Sequence, residues 1–374
     1  MAKPQSILFL TLRVFSATGG IEKVCRVAGK ALEEICEEDE SRLAVFSMYD
    51  NKNQIIEKYF SSSIFRGFDQ DKSKFVYQGV KAGIGKDIVL LSHINLLSIG
   101  VLIKIFSPKT KLFLIAHGIE VWMPLTNLKK WMLKKCDRIL SVSDFTKESL
   151  ITLNGIHPNK IDILNNCLDP FLPEYIGQEK DASLLNRYGL NQSNKIILTL
   201  TRISEKEKYK GYDHVLYAVK QLKELYPSIR YLIVGKYDAN EKNRIDTIIE
   251  SLGIKDYVVF TGFIPDEEIA AHFKLADVYV MPSKKEGFGI VFIEAMYYGI
   301  PVIAGNKDGS VDALAKGELG LLVNPDDKNE ITSAIKKVLE NPNQYKPDYE
   351  NLMNKFSFPV YKKNIQEKLL NFLN

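Results

Sequence analysis

The sequence predicts an α/β fold built as two tandem units, each a doubly wound parallel sheet flanked by helices. Three observations carry that expectation. The chain has 374 residues, more than the roughly 250–300 at which a single hydrophobic core stops growing. Short apolar runs alternate with helical patterns along almost its whole length, as parallel sheets crossed by helices require. The alternation halts once, at 170–183, where PFLPEYIGQEKDAS gathers two prolines, a glycine and scattered charge, and then restarts.

The first half has strand-like runs at 6–12, 42–48, 87–92, 111–116, 137–142 and 160–164, with helical stretches at 20–36, 95–106, 126–136 and 144–153. The opening run is too short for a signal peptide, ends at Arg13 and lacks a small-residue cleavage site. The long apolar segment 88–106 contains His93, Asn95 and Lys104, each expensive at bilayer depth. It reads as a buried strand followed by a helix, and no integral membrane span is expected. Beyond the linker, strands are expected near 195–201, 230–235, 256–261, 277–281, 301–304 and 320–323, and helices near 211–226, 240–252, 266–275, 290–298 and 327–340. The expected domains are therefore 1–170 and 184–356, followed by a last helix at 358–373.

Composition is that of an ordinary globular chain, with 45% hydrophobic and 26% charged residues. Cys25, Cys36, Cys136 and Cys167 form no C-x-x-C pair and no zinc spacing, so they read as core thiols in a reducing compartment. The net charge of +4 is uneven: residues 1–170 hold 23 Lys and Arg against 18 Asp and Glu, the remainder 27 against 28. A basic first half suits an anionic surface, although such a surplus is also a common accident. The stretch KKWMLKK (129–135) sets lysines around Trp131 and Leu133, either as a membrane-surface helix or as an ordinary amphipathic one.

Open parallel sheets bind ligands outside the carboxyl ends of their strands. Two facing units would put their strand-end loops on either side of one cleft, and four stretches carry candidate residues there. In MPSKKEGFGIVFIEAMYYGIPVIAG (281–305), Gly287 and Gly289 flank Phe288 ahead of a helix that Gly299 and Pro301 close. Glycine lets backbone approach a ligand, and the free N–H groups of a helix start favour an anion. Glu286 and Glu294 lie eight apart, about 12 Å of rise on one continuous helix. They can share a ligand only if Glu286 comes from a loop folded over the helix start; otherwise they are two solvated glutamates.

In LTLTRISEKEKYKGYDHVLYAV (198–219), Arg202 follows a strand and Lys210 opens a helix, where a diphosphate would lie. Arginine offers a planar fork and lysine a movable point charge; read alone, both are better taken as surface charges. Gly19–Gly20 precedes the first helix, as a phosphate or sugar contact or as a plain turn. His117 follows the strand KLFLIA and precedes Gly118, at the cleft mouth or in a structural role.

Taken in order, Gly-Gly, His-Gly, Arg…Lys-Gly and E-G-F-G-x-x-x-x-E resemble the retaining GT-B glycosyltransferases of family 4, two Rossmann-like domains facing across a cleft. The likeness covers nearly the whole chain and is aided by VSDFT (142–146), VGK (234–236), GIPVIA (299–304) and GLLVNPDD (320–327). It implies a sugar moved from a UDP- or GDP-linked donor to an acceptor, with no metal or other cofactor and no nucleic acid partner. By the same resemblance Glu294 holds the donor ribose and Glu286 the sugar hydroxyls, beside the amides of Phe288 and Gly289. Arg202 and Lys210 neutralise the departing diphosphate, His117 meets the sugar near the reacting carbon, the Gly19–Gly20 amides reach phosphate or sugar, and Gly262 lies beside the base. The first domain would bind the acceptor, a lipid-linked or cell-surface glycan precursor, in the cytoplasm or at the inner face of the membrane, and the last helix would pack back on that domain.

Two positions depart from the family pattern. The usual P-N-G-V-D reads Asn165-Asn166-Cys167-Leu168-Asp169, and the paired glycines after the strand at 301–304 read Gly309-Ser310. Rival readings have less support. Asp69-Gln70-Asp71 has the spacing of a metal-binding Asp-x-Asp but no strand behind it. A glycosidase needs two carboxylates roughly 5–9.5 Å apart, and a nicotinamide enzyme a G-x-G-x-x-G after a strand. A catalytically silent sugar-nucleotide-binding protein or a nucleotide-sugar epimerase of the same fold are the remaining alternatives.

Overall fold

A computed structural model describes residues 4–174 and 180–369. The chain forms two compact units, one of Met1–Pro170 with Phe356–Asn374 and one of Phe171–Lys355.

The first unit runs β1 (Ser6–Thr11), α1 (Gly20–Glu38), β2 (Arg42–Ser47), β3 (Phe65–Gly67), α2 (Lys72–Gly83), β4 (Ile88–Leu91), α3 (Leu97–Phe106), β5 (Lys111–Ala116), α4 (Asn127–Lys134), β6 (Arg138–Ser141), α5 (Asp144–Thr152) and β7 (Ile161–Ile163). Its sheet has the order β3-β2-β1-β4-β5-β6-β7, parallel at every pairing. Strand β4 and nearly all of β1 and β5 are buried, as strands covered by helices on both faces must be. The second unit runs α6 (Ala182–Arg187), β8 (Lys195–Leu200), α7 (Tyr212–Leu222), β9 (Ile229–Val234), α8 (Ala239–Leu252), β10 (Val258–Gly262), α9 (Asp266–Phe273), β11 (Val278–Met281), α10 (Ile290–Tyr297), β12 (Val302–Gly305), α11 (Ser310–Ala313), β13 (Leu321–Val323), α12 (Lys328–Glu340) and α13 (Tyr349–Phe356). Its sheet, β10-β9-β8-β11-β12-β13, is also parallel throughout. In both sheets the order reverses beside the first strand, between β1 and β4 and between β8 and β11. That reversal is the switch point where such sheets open a ligand crevice.

The final helix, α14 (Phe358–Leu369), belongs to the first unit and lies on α1, where Lys362 meets Glu34 and Glu38 at 3.0 and 2.8 Å. Residues 370–373 of the expected helix lie outside the described residues. So do 175–179 of the expected linker, while its last two residues already form the start of α6, capped by the Asp181 carboxylate accepting from the Leu184 N–H.

Strand β3 and helix α2 were not foreseen from the sequence, and β3 ends just ahead of Asp69-Gln70-Asp71, so that motif, expected to have no strand behind it, does follow one. Helix α2 buries only Phe75, Gly79 and Gly83, too little apolar signal to read as a helix. The glycines are the packing device: a Cβ on Gly83 would stand 2.4 Å from Ile103 Cδ1 on α3. Asp69 and Gln70 take positive φ, and the Asp71 carboxylate caps α2 by accepting from the Lys74 N–H. Segment 88–106 divides into β4 and α3 with a turn between, and no helix among the described residues is long and apolar enough to cross a membrane. All four cysteines are buried and free, and burial pushes the thiols of Cys25, Cys36 and Cys136 up to about 12.

Candidate active site

In the second unit the chemistry gathers at the carboxyl ends of β8 and β11. Strand β8 ends at Leu200, and the chain passes Arg202 into a 3-10 turn (Glu205–Lys210) before α7. Gly211 joins the turn to α7 at φ 76, and a Cβ there would lie 2.5 Å from the Pro282 carbonyl oxygen. Only glycine fits both demands. The Lys284 N–H donates to the Tyr209 carbonyl at 3.0 Å, so the loops after β8 and β11 are stitched together.

That stitching brings two of the candidate residues into contact. The Lys210 ammonium donates to the Glu286 carboxylate, with both side chains largely buried. Burial, the largest single influence, pulls the lysine down, but Glu286, with Tyr209 and Glu207, together outweigh it and leave the ammonium above its ordinary range. Arg202 is placed differently. Its side chain is 69% exposed against 16% for Lys210, and it pairs with Glu207 within its own loop.

Glu286 stands in the loop, not in the helix that carries Glu294. Phe288 is buried and anchors this loop, and Gly289 starts α10 at φ 86, where a Cβ would strike the Phe292 ring at 2.4 Å. Glu294 is 3% exposed in a helix whose other buried residues are Phe292, Ile293, Ala295 and Met296. A carboxylate kept in such company is costly unless it is bonded. Gly262 ends β10 at φ 72 and its carbonyl accepts from the Gly235 N–H, so the need for glycine there is conformational.

The sequence reading missed Asp308, which follows β12. Its carboxylate accepts from the Ser283 hydroxyl at 2.5 Å, the Glu286 N–H at 2.7 Å and the Ser310 N–H at 2.9 Å. In return the Gly309 N–H donates to the Glu286 carbonyl at 2.8 Å, and a Cβ on Gly309 would overlap the Gly287 carbonyl. In the sequence this stretch departs from the family pattern at its second glycine, and an aspartate just past a strand end is the available signal.

The first unit holds the other three candidates. Gly19 precedes α1 and Gly20 is its first residue, with open space where a Gly20 side chain would be. The loop leading to them is held by Asp50, another residue not singled out. Its carboxylate accepts from the N–H groups of Val14, Phe15 and Ser16 at 2.6, 3.2 and 2.7 Å. Those amides are thereby engaged, and at the helix start the Glu22 carboxylate lies against Gly19, where a Cβ would stand 2.3 Å from its Oε2. His117 follows β5 and is buried; Nε2 lies 2.7 Å from the Ser92 carbonyl, and its backbone N–H donates to Glu120 at 2.6 Å. His93, on the neighbouring strand end, is held below its ordinary range by burial.

Residues 182–355 match the family described as Glycosyl transferases group 1, and residues 65–170 the family described as Glycosyltransferase Family 4. The chain is 29% identical over 239 residues to a 2-deoxystreptamine glucosyltransferase of Streptomyces kanamyceticus, covering 64% of this chain and 59% of that one. It is also 29% identical over 243 residues to a GDP-mannose-dependent alpha-(1-6)-phosphatidylinositol monomannoside mannosyltransferase of Mycolicibacterium smegmatis, covering 60% of each. The chain thus spans about three fifths of the length of these relatives. Among solved structures it resembles Anabaena HepE in complex with UDP and glucose, with a TM-score of 0.79, 18% identity and coverage of 98% of this chain and 99% of that one. A sucrose-phosphate synthase of Thermosynechococcus elongatus follows at TM-score 0.75 and 19% identity, covering 98% and 99%. At such identities the likeness is one of fold.

Proposed function

The chain belongs to the glycosyl transferases group 1, family 4, with the GT-B fold, and from that premise we propose that it transfers a sugar from a UDP- or GDP-linked donor to a glycan acceptor, with retention at the anomeric carbon and without a metal ion. The observation that carries this reading is the Lys210–Glu286 pair at the switch point between β8 and β11. A cation for diphosphate and a carboxylate for sugar hydroxyls meet where the fold opens its ligand crevice. In the transfer the bond from the anomeric carbon to the diphosphate oxygen breaks, its electron pair leaving with the diphosphate. A bond to the acceptor hydroxyl oxygen forms, and the hydroxyl proton passes to the diphosphate or to water. Lys210 answers the growing charge, Glu286 and the Phe288–Gly289 amides orient the sugar, and Glu294 accepts from the ribose. Gly262 flanks the base.

One time course tests both finer claims. Followed by NMR in excess chelator, turnover should continue, and the first-formed product should keep the donor's anomeric configuration. Activity lost in chelator and restored by Mn²⁺ would overturn metal independence, and an inverted product would overturn retention.

For the acceptor, we propose a lipid-linked or cell-surface precursor reached from the cytoplasmic face of an anionic membrane. Helix α4 supports this reading. It exposes Leu128 and Trp131, and the Lys135 ammonium lies 5.3 Å from the Trp131 ring. Leu133, which the sequence pattern had placed with Trp131, is instead fully buried and fastens the helix to the core. A lysine near an anionic bilayer is worth about 1 kcal/mol. Lys134→Glu with Lys135→Glu should therefore weaken sedimentation with phosphatidylglycerol vesicles at least about tenfold, leaving turnover of a soluble acceptor unchanged. Equal sedimentation of both proteins would remove α4 from the membrane.

A further inference from the structure

We propose that Asp308 is a positioning residue for the transfer, latching the Glu286 loop to the start of α11 and so fixing Glu286 for the donor sugar. The proposal rests on the reading of Glu286 as a donor-sugar ligand. Three donors from two segments converge on this one carboxylate: the Ser283 hydroxyl, the Glu286 N–H and the Ser310 N–H. The Gly309 N–H closes the brace by donating to the Glu286 carbonyl, and a Cβ at position 309 would stand 2.0 Å from the Gly287 carbonyl oxygen, so this approach needs glycine. Glu286 is thus held by both its backbone polar groups from the Asp308–Gly309 side and by its side chain from Lys210. The latch works on the backbone of the very residue whose carboxylate faces Lys210, which is why it governs the sugar end of the site rather than the ribose end, where Glu294 sits on a separate helix.

Asp308 is 2% exposed, and burial pushes its carboxyl up to about 6 against the donors that hold it. The charged groups around it are Glu286 with Lys210 on the loops after β11 and β8, Lys307 beside it in the chain, and Asp312 on α11. Lys307 is occupied by Asp326 at 2.7 Å. The sign follows from linkage. Opening the loop to water returns the carboxyl to its ordinary 3.8, so the closed loop binds the proton more tightly. Opening therefore becomes harder as pH falls below about 6, by about tenfold between pH 7 and pH 5. The latch is loosest in its ionised form.

Hydrogen exchange of the unliganded full chain reads this directly, as the protection of the Glu286 amide after correction for intrinsic rates. Wild-type protection should rise about tenfold from pH 7 to pH 5. Asp308→Ala strands three donors and should lower protection at pH 7 at least about tenfold. Asp308→Asn keeps one acceptor oxygen and cannot titrate, so it should restore part of the protection and show no pH dependence. Ser283→Ala removes a single arm and should give a smaller loss, which keeps the test open if Asp308→Ala does not fold. In parallel, Asp308→Ala should weaken binding of UDP-glucose or GDP-mannose more than binding of UDP or GDP alone. Wild-type protection in Asp308→Ala and Ser283→Ala would overturn the latch, and so would lost protection with an unchanged ratio of nucleotide-sugar to nucleotide affinity. A wild-type chain that binds no nucleotide sugar would instead overturn the proposed function, and the exchange data would still decide the latch.

Discussion

Lys210→Ala should lower kcat on the order of 10²–10³, about 2.7–4 kcal/mol, while weakening donor binding much less. As the sugar–phosphate bond breaks, charge accumulates on the departing diphosphate, so a fixed cation is worth more in the transition state than in the ground state. The structure sharpens the expectation in two ways. Lys210 is already oriented, because its ammonium is held by Glu286 in a largely buried position. An ammonium has three donors, so it can keep Glu286 and still meet a phosphate oxygen. Removing it also leaves the Glu286 carboxylate unpaired beside the diphosphate, adding repulsion to the lost attraction. Arg202 should matter less. Its exposed side chain is paired with Glu207, and a solvated charge is screened. Steady-state kcat measured beside donor Kd for both variants checks this. Near-normal kcat in Lys210→Ala would return the lysine to a structural role.

Much of the fold was legible because buried parallel strands write themselves as apolar runs. The runs at 6–12, 111–116 and 277–281 correspond to β1, β5 and β11 within a residue or two. What escaped has a physical cause in each case. Helix α2 is held by glycines that let α3 approach, and close approach leaves no hydrophobic period to read. Strand β3 is three residues long, at the sheet edge. Candidate site residues could be placed by their position after a strand or before a helix, which is how Lys210, Glu286 and His117 were found. Orientation could not be read that way. Leu133 turns inward and Trp131 outward although both lie among the same lysines, and Arg202 turns to Glu207 rather than joining the Lys210–Glu286 pair. Asp50 and Asp308 were missed for a related reason: each acts through backbone N–H groups distant in sequence, from 34 to 36 residues away for Asp50 and 22 for the Glu286 contact of Asp308. Such bonds leave no spacing pattern behind.

Glu294 is the residue proposed to hold the ribose of a nucleotide sugar. It is 3% exposed on α10, and the ribose hydroxyls of a donor are the groups it is proposed to accept from. Each ribose hydroxyl donating to it is worth about 1.5–3 kcal/mol, or at least about tenfold in affinity. Glu294→Ala should therefore abolish measurable protection by donor while its unliganded melt stays cooperative. The most direct test is thermal shift of the wild type and Glu294→Ala against a panel of UDP- and GDP-sugars, since a ligand bound only by the folded state raises Tm without any need for an acceptor. The wild-type Tm should rise with the concentration of one nucleotide class, and that of Glu294→Ala should not move. Equal protection of both proteins, or no protection of the wild type by any nucleotide sugar, would contradict the ribose role.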